Sequence, residues 1–232
     1  MLEVRDLWAK RGNQQVLRGL NFSLQAGEIV SLLGRNGAGR STTAMALMGL
    51  LPRHGRIAWQ GHDLQDLPAH AVARAGLGYV PESRDVFVGL TVAQNLLLGV
   101  SPRRHQRPWH WNLDELYALF PALAARRHTG AEHLSGGEQQ MLSVCRALMG
   151  QPQLLIVDEP AEGLSPQVVE QLARVLQLCR ERGMAILLIE QKLQLSLALA
   201  DRVLVLGGGQ VVFDGDLHEM LRSDTCNQWL MV

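Results

Sequence analysis

The sequence is poor in aromatic residues, which make up 5% of 232 positions, and it has no excess charge of either sign: 22 basic side chains balance 22 acidic ones. A neutral chain with no long basic run lacks the phosphate-neutralising surface of a dedicated nucleic-acid binder. Cysteine is scarce and odd in number. Cys145, Cys179 and Cys226 stand far apart with no Cys-x-x-Cys pair, which supports neither a disulfide framework nor a structural zinc site. His105 with His110, and His128 with His133, have zinc-like spacing but no cysteine pair upstream, and read as solvated loop histidines. Long apolar runs are missing too. Ala44 to Leu51 and Ala185 to Ile189 fall far short of the ~20 residues of a membrane helix, and Asp201 and Arg202 break the run from Leu193 to Leu206. The opening Met1-Leu2-Glu3-Val4-Arg5-Asp6 puts acids where a signal peptide would start its apolar stretch. The expectation is a cytoplasmic protein with no transmembrane segment, reaching any membrane through a partner.

What is present is a globular composition: 47% hydrophobic and 19% charged residues, too apolar for disorder and long enough to bury a core. Leu2 to Ala9 and Phe22 to Gln25 read as strands, and Glu28 to Leu33 as a short apolar strand running into a glycine-rich loop. Ser41 to Leu50 reads as a buried helix, Gly55 to Leu64 as a hairpin strand, Pro68 to Ala75 as a helix opened by proline, and Leu77 to Val80 as a strand. From Phe87 to Ala147 the pattern turns helical with no strand. Leu154 to Val157 is apolar on both faces, as in central parallel strands. Pro166 to Arg182 is an amphipathic helix stopped by Gly183; strands follow at Ala185 to Ile189, Arg202 to Leu206 and Gln210 to Phe213, then a tail helix from about Asp216. The order predicts an α/β fold in which a nucleotide-binding core (1–86 and 146–232) is interrupted by a helical subdomain (87–145). Ser101 to Trp111 is the most linker-like stretch. Its Arg103, Arg104, Arg107, Trp109 and Trp111 read as a solvated loop, with contact to a membrane-bound partner or anionic lipid headgroups as the alternative.

Gly34-Arg35-Asn36-Gly37-Ala38-Gly39-Arg40-Ser41 has the spacing of a phosphate loop, after a strand and before a helix. Its glycines let successive N–H groups curl toward phosphate oxygens, and the following helix aims its positive end at the same place. Ser41 Oγ is placed to ligate Mg²⁺, and Thr42 adds a hydroxyl. The usual lysine is Arg40, a larger planar cation that does not replace a point charge one for one. Nucleotide binding with slow or context-dependent hydrolysis follows, since losing one well-aimed transition-state donor costs ~3 kcal/mol. Leu154 to Pro160 (LLIVDEP) is an apolar strand ending in two carboxylates, where open parallel sheets bind ligands. Asp158 is expected to serve the metal and Glu159 to polarise the attacking water as general base.

Leu134-Ser135-Gly136-Gly137-Glu138-Gln139-Gln140 supplies a second exposed helix start shortly before the acidic strand. With these three motifs in this order, the whole chain resembles the ATP-binding cassette (ABC) ATPases, and LSGGE is similar to their signature motif. The resemblance implies a P-loop NTPase (RecA-like) core with an antiparallel β subdomain and an inserted helical subdomain. It implies ATP and Mg²⁺ as ligands, and a head-to-tail pair of cassettes in which Ser135, Gly136 and Gly137 cap the nucleotide held by the partner. Ala161 to Pro166 looks like the D-loop. Glu82 stands where most cassettes carry the Q-loop glutamine, and Gln191 where most carry the switch histidine. Arg11 stands in place of the aromatic that stacks on adenine. VPE before Ser83 and IEQ at 189–191 resemble the ATP-binding subunits of branched-chain amino acid transporters, with urea and short-amide importers a near match. The implied partners are a second cassette and membrane permease subunits, with the chain peripheral on the inner face of the plasma membrane. A weakly hydrolysing regulatory cassette is the rival reading; a small-molecule kinase leaves LSGGE unexplained.

Overall fold

The computed structural model describes residues 1–100, 110–223 and 228–230. Its centre is a six-stranded sheet. β3 (Ile29–Gly34), β6 (Leu77–Val80), β7 (Leu154–Asp158), β8 (Ala185–Glu190), β9 (Arg202–Gly207) and β10 (Gln210–Gly215) lie in the order β10-β9-β3-β8-β7-β6. All neighbours are parallel except the β9–β10 hairpin. β3, β7 and β8 are buried along their whole length, so their sequences are apolar at every position rather than at alternate ones. The alternation survives in which core each residue joins. Leu155, Val157, Ile186 and Leu188 face one core, with α6 (Gly136–Met149) and α7 (Pro166–Glu181). Leu154, Ile156, Leu187 and Ile189 face the other, with α1 (Arg40–Leu47) and the second sheet.

That second sheet is antiparallel: β1 (Leu2–Arg11), β2 (Gln14–Leu24), β4 (Arg53–Trp59) and β5 (His62–Asp63), in the order β2-β1-β4-β5. β2 starts at Gln14, well before the Phe22 read from sequence. Its first residues, Gln14 and Gln15, are polar because this end of the β1–β2 ladder faces solvent and needs no apolar alternation. Gly55 to Leu64 is not one strand: Gln60 and Gly61, both at positive φ, turn the chain between β4 and β5. The sheets are stitched at the β9–β10 turn, where the Arg18 amide donates to Gly209 O (2.9 Å) and Gln210 Nε2 to Arg18 O (3.0 Å). Gly209 sits at φ +83°, and a Cβ there would lie 2.0 Å from Val16 O, so only glycine permits this approach.

The remaining helices are α2 (Ala69–Arg74), α3 (Val92–Leu98), α4 (Leu113–Leu119), α5 (Pro121–Ala125), α8 (Leu193–Leu199) and α9 (Leu217–Arg222). Between Phe87 and Ala147 the described residues form helices, with one isolated bridge between Thr91 and Gly130. α6 runs unbroken across residues 145 and 146. Trp111 departs from the solvated-loop reading. It is fully buried, its amide donates to Gln151 Oε1 (2.8 Å), its carbonyl accepts from Gln151 Nε2 (2.8 Å), and the Arg182 guanidinium stacks 4.2 Å from its ring centre. Arg103, Arg104, Arg107, Trp109 and His105 lie outside the described residues. His128 and His133 are exposed, and no cluster of potential metal ligands occurs among the described residues. Among the same residues no helix is long and apolar enough to cross a membrane.

Candidate functional site

Strand register builds the site. Leu33 lies beside Glu190, and Asp158 beside Ile189, so β3, β7 and β8 end at one level. The loop 34–39, the Asp158-Glu159 exit and Gln191 therefore leave the same edge of the sheet, the edge where parallel sheets hold ligands. They surround a cavity of about 500 Å³ lined by Arg11, Asn36, Gly37, Arg40, Ser41, Thr42, Glu82, Glu159 and Gln191, together with Gln14, Val16, Gly39 and Glu162. The volume falls within the usual range for small-molecule sites.

The loop is shaped to receive an anion. Gly37 adopts φ +81° with open space where a Cβ would stand. Gly39, at φ +111°, starts α1 with no side-chain cap, which leaves the helix's first amides turned to the cavity. Ala38 N–H closes a turn onto Arg35 O (3.0 Å), while the Arg35 side chain is exposed and away from the cavity wall. The oxygen pair suited to a divalent cation is also present: Ser41 Oγ donates to Asp158 Oδ1 at 3.3 Å. Tyr79 OH donates to the other oxygen, Oδ2, at 3.3 Å. Burial pushes the Asp158 carboxyl up to about 6, against the lowering effect of the Ser41 bond, and lifts the Tyr79 phenol above its usual range.

Arg40 does not point along the loop toward open space. Its side chain is 4% exposed; Nη1 donates to Gly34 O (2.7 Å), and Nη2 donates to Asn36 Oδ1 (3.1 Å) and to Glu159 Oε1 (2.5 Å). Glu159 itself sits at φ +45°, a left-handed backbone that is costly outside glycine, held by the hydrogen bond its backbone N–H donates to Ile189 O (2.9 Å).

A sequence family model for ABC transporters matches residues 17–162. The chain belongs to the ABC transporter family. The cassette is 40% identical over 202 residues to the high-affinity branched-chain amino acid transport ATP-binding protein BraG of Pseudomonas aeruginosa, covering 87% of this chain and 86% of that protein. It is 34% identical over 234 residues to the lipopolysaccharide export system ATP-binding protein LptB of Acidithiobacillus ferridurans, covering 98% and 95%. Among solved structures, an ATP-binding subunit of an ABC transporter superposes with TM-score 0.83 at 30% identity, covering 97% of this chain and 94% of that one. The fold is the P-loop ATPase cassette, and members of this family couple ATP hydrolysis to transport.

Ser135, Gly136 and Gly137 are not brought to the cavity within one cassette. Ser135 caps α6, exchanging bonds with Glu138 in a capping box. Gly136 packs under Arg84, whose Nη1 would lie 2.5 Å from a Cβ at that glycine; Arg84 Nη2 in turn donates to Glu162 O at 3.0 Å. Arg84 thus joins the stretch after Glu82 to the signature turn and the D-loop stretch. Sequence reading missed this arginine, together with Tyr79 and Glu190. Glu190 is 3% exposed, its Oε1 has no partner, and burial pushes it up to about 7 although the Ala161 amide bonds it. A carboxylate closing an otherwise apolar strand (AILLIE) was the available signal.

Proposed function

We propose that this cassette is the ATP-binding subunit of an importer for branched-chain or other amino acids. The convergence of the phosphate loop, Glu159 and Gln191 on one cavity, with Asp158 bonded to Ser41 of its wall, carries the ATPase part of the reading. The 40% identity to BraG supports the amino-acid part. The amides of Gly37 to Thr42 would cradle the β- and γ-phosphates, and Arg11 would stack on the base beside Val16. Ser41 and Asp158 would hold Mg²⁺, which offsets phosphate charge when bound. Glu159 would take the proton of the attacking water, and Gln191 and Glu82 would orient it from either side by hydrogen bonding.

Ser135, Gly136 and Gly137 would serve the nucleotide of a second cassette, since they stand away from this chain's own cavity. We read 1–86 and 146–232 as the nucleotide-binding core and 87–145 as the helical subdomain. A second groove is lined by Met48, Tyr79, Phe87, Leu98 and Arg146, among other residues; Phe87 and Leu98 are half exposed there. It suits an apolar segment of a membrane permease, which would hold the cassette on the inner face of the membrane.

The test is purification of the membrane complex and its reconstitution with labelled leucine. ATP-driven uptake that is lost in Glu159→Gln supports the reading. Transport of a lipid substrate favours the export role borne by LptB; transport of urea or a short amide moves the cassette to that importer class. Arg40→Lys should raise turnover of the complex by up to about a hundredfold, the scale of one better-placed phosphate donor. Unchanged or lower turnover means Arg40 is no handicap, and a low rate insensitive to Glu159→Gln marks a regulatory cassette.

A further inference from the structure

We propose that Arg40 and Glu159 form a latch: the guanidinium that belongs to the phosphates is held by the general base until nucleotide displaces it. The inference rests on Glu159 being the base and this cavity being the ATP site. The pair is 2.5 Å apart, with the arginine side chain 4% and the glutamate 12% exposed, so salt screens it much less than a surface pair. Gly34 O and Asn36 Oδ1 hold the same guanidinium from behind. Both Nη2 protons are thereby committed, one to Asn36 and one to Glu159. A phosphate oxygen that claims Nη2 must displace one of the two, and the Glu159 carboxylate, an anion beside an incoming anion, is the partner it repels. A lysine ammonium makes no such planar fork and cannot hold the loop carbonyl, Asn36 and Glu159 in one fixed geometry.

Two consequences follow. Nucleotide binds against the competition of an internal carboxylate, which weakens affinity. Eviction also frees the Glu159 oxygen to accept a proton, so the base becomes available only when phosphate is present. The unusual arginine then acts as a gate on its own site, and the left-handed backbone at Glu159 is the conformation in which the latch is closed.

The experiment measures binding of a fluorescent ADP analogue to the purified chain, with chelator present so that neither Mg²⁺ nor turnover contributes. Four proteins form a cycle: wild type, Glu159→Gln, Arg40→Lys and the double variant. Glu159→Gln should tighten binding about tenfold in the wild-type background and about twofold or less in the Arg40→Lys background, a coupling typical of contacting charges. Equal gains in both backgrounds would reduce the effect to loss of one negative charge near phosphate and overturn the latch, as would no gain at all. If the double variant does not fold, Asn36→Ala replaces Arg40→Lys in the cycle, because Asn36 seats the fork. Absence of binding by every protein overturns the latch together with the nucleotide site beneath it.

Discussion

Single residues decide how this site meets protons. Glu190 and Asp158 are buried acids with pKa values raised to about 7 and about 6. A raised acid binds its proton more tightly in the folded state. Its ionisation therefore subtracts stability as pH climbs from the unfolded value to the folded one, and below the unfolded value the two states do not differ. Stability should fall between about pH 4 and pH 7 on this account. Glu190→Gln should abolish the part of that fall above pH 6 and stabilise the protein at pH 8 by about 1–3 kcal/mol, read from urea unfolding at several pH values. An unchanged slope above pH 6 would assign the dependence elsewhere. At this scale the contiguous motifs were legible as places: residues 34–42 and the pair Asp158-Glu159 are each unbroken in sequence, and the fold brings the two stretches together. Tyr79, Arg84 and Glu190 were not, because each acquires its meaning from a neighbour tens of residues away that only strand pairing brings close. The partner chosen by Arg40 belongs to the same class: spacing placed the cation but not the carboxylate it would meet.

Elements were read best where burial is complete. β3, β7 and β8 announce themselves as unbroken apolar runs, whereas the solvent-facing start of β2 and the two-residue β5 carry no such mark. Packing between helices left a subtler trace. Gly99, at the end of α3, lies so close to α6 that a Cβ there would stand 2.1 Å from Arg146 O. Gly99→Ala should push the helices apart and cost about 2 kcal/mol, the usual penalty of overpacking, seen as a lower urea midpoint with unchanged slope. Because Arg146 also reaches Asp85 O (2.7 Å) and stacks 4.8 Å from the Phe87 ring, the same substitution should weaken co-purification with the permeases while leaving the phosphate loop untouched. The helical character of 87–147 was legible from periodicity; the burial of Trp111 was not, since prolines and arginines around it read as surface.

For the whole molecule, the two sheets share one apolar core, so they should unfold as a unit with the site between them. Saturation with Mg-ADP at a hundred times its dissociation constant should add about 2.7 kcal/mol of stability, a rise in Tm of about 5–10 °C for a chain of this size. A scan with and without nucleotide checks it, and no shift would contradict a site formed by the intact fold. The overall architecture was legible from the order of strands and helices, because parallel connections leave few topologies open. The stitch between Gly209 and β2 was not, for it joins residues almost two hundred positions apart. That stitch has a consequence for the growing chain. Val16 is both the residue Gly209 presses against and a wall of the cavity. On the ribosome, a nascent polypeptide can curl its phosphate loop early, yet the Val16 wall of the cavity is fixed only after residues 202–215 have emerged and docked, so on the proposed placement of the base the full grip on nucleotide arrives among the final events of synthesis.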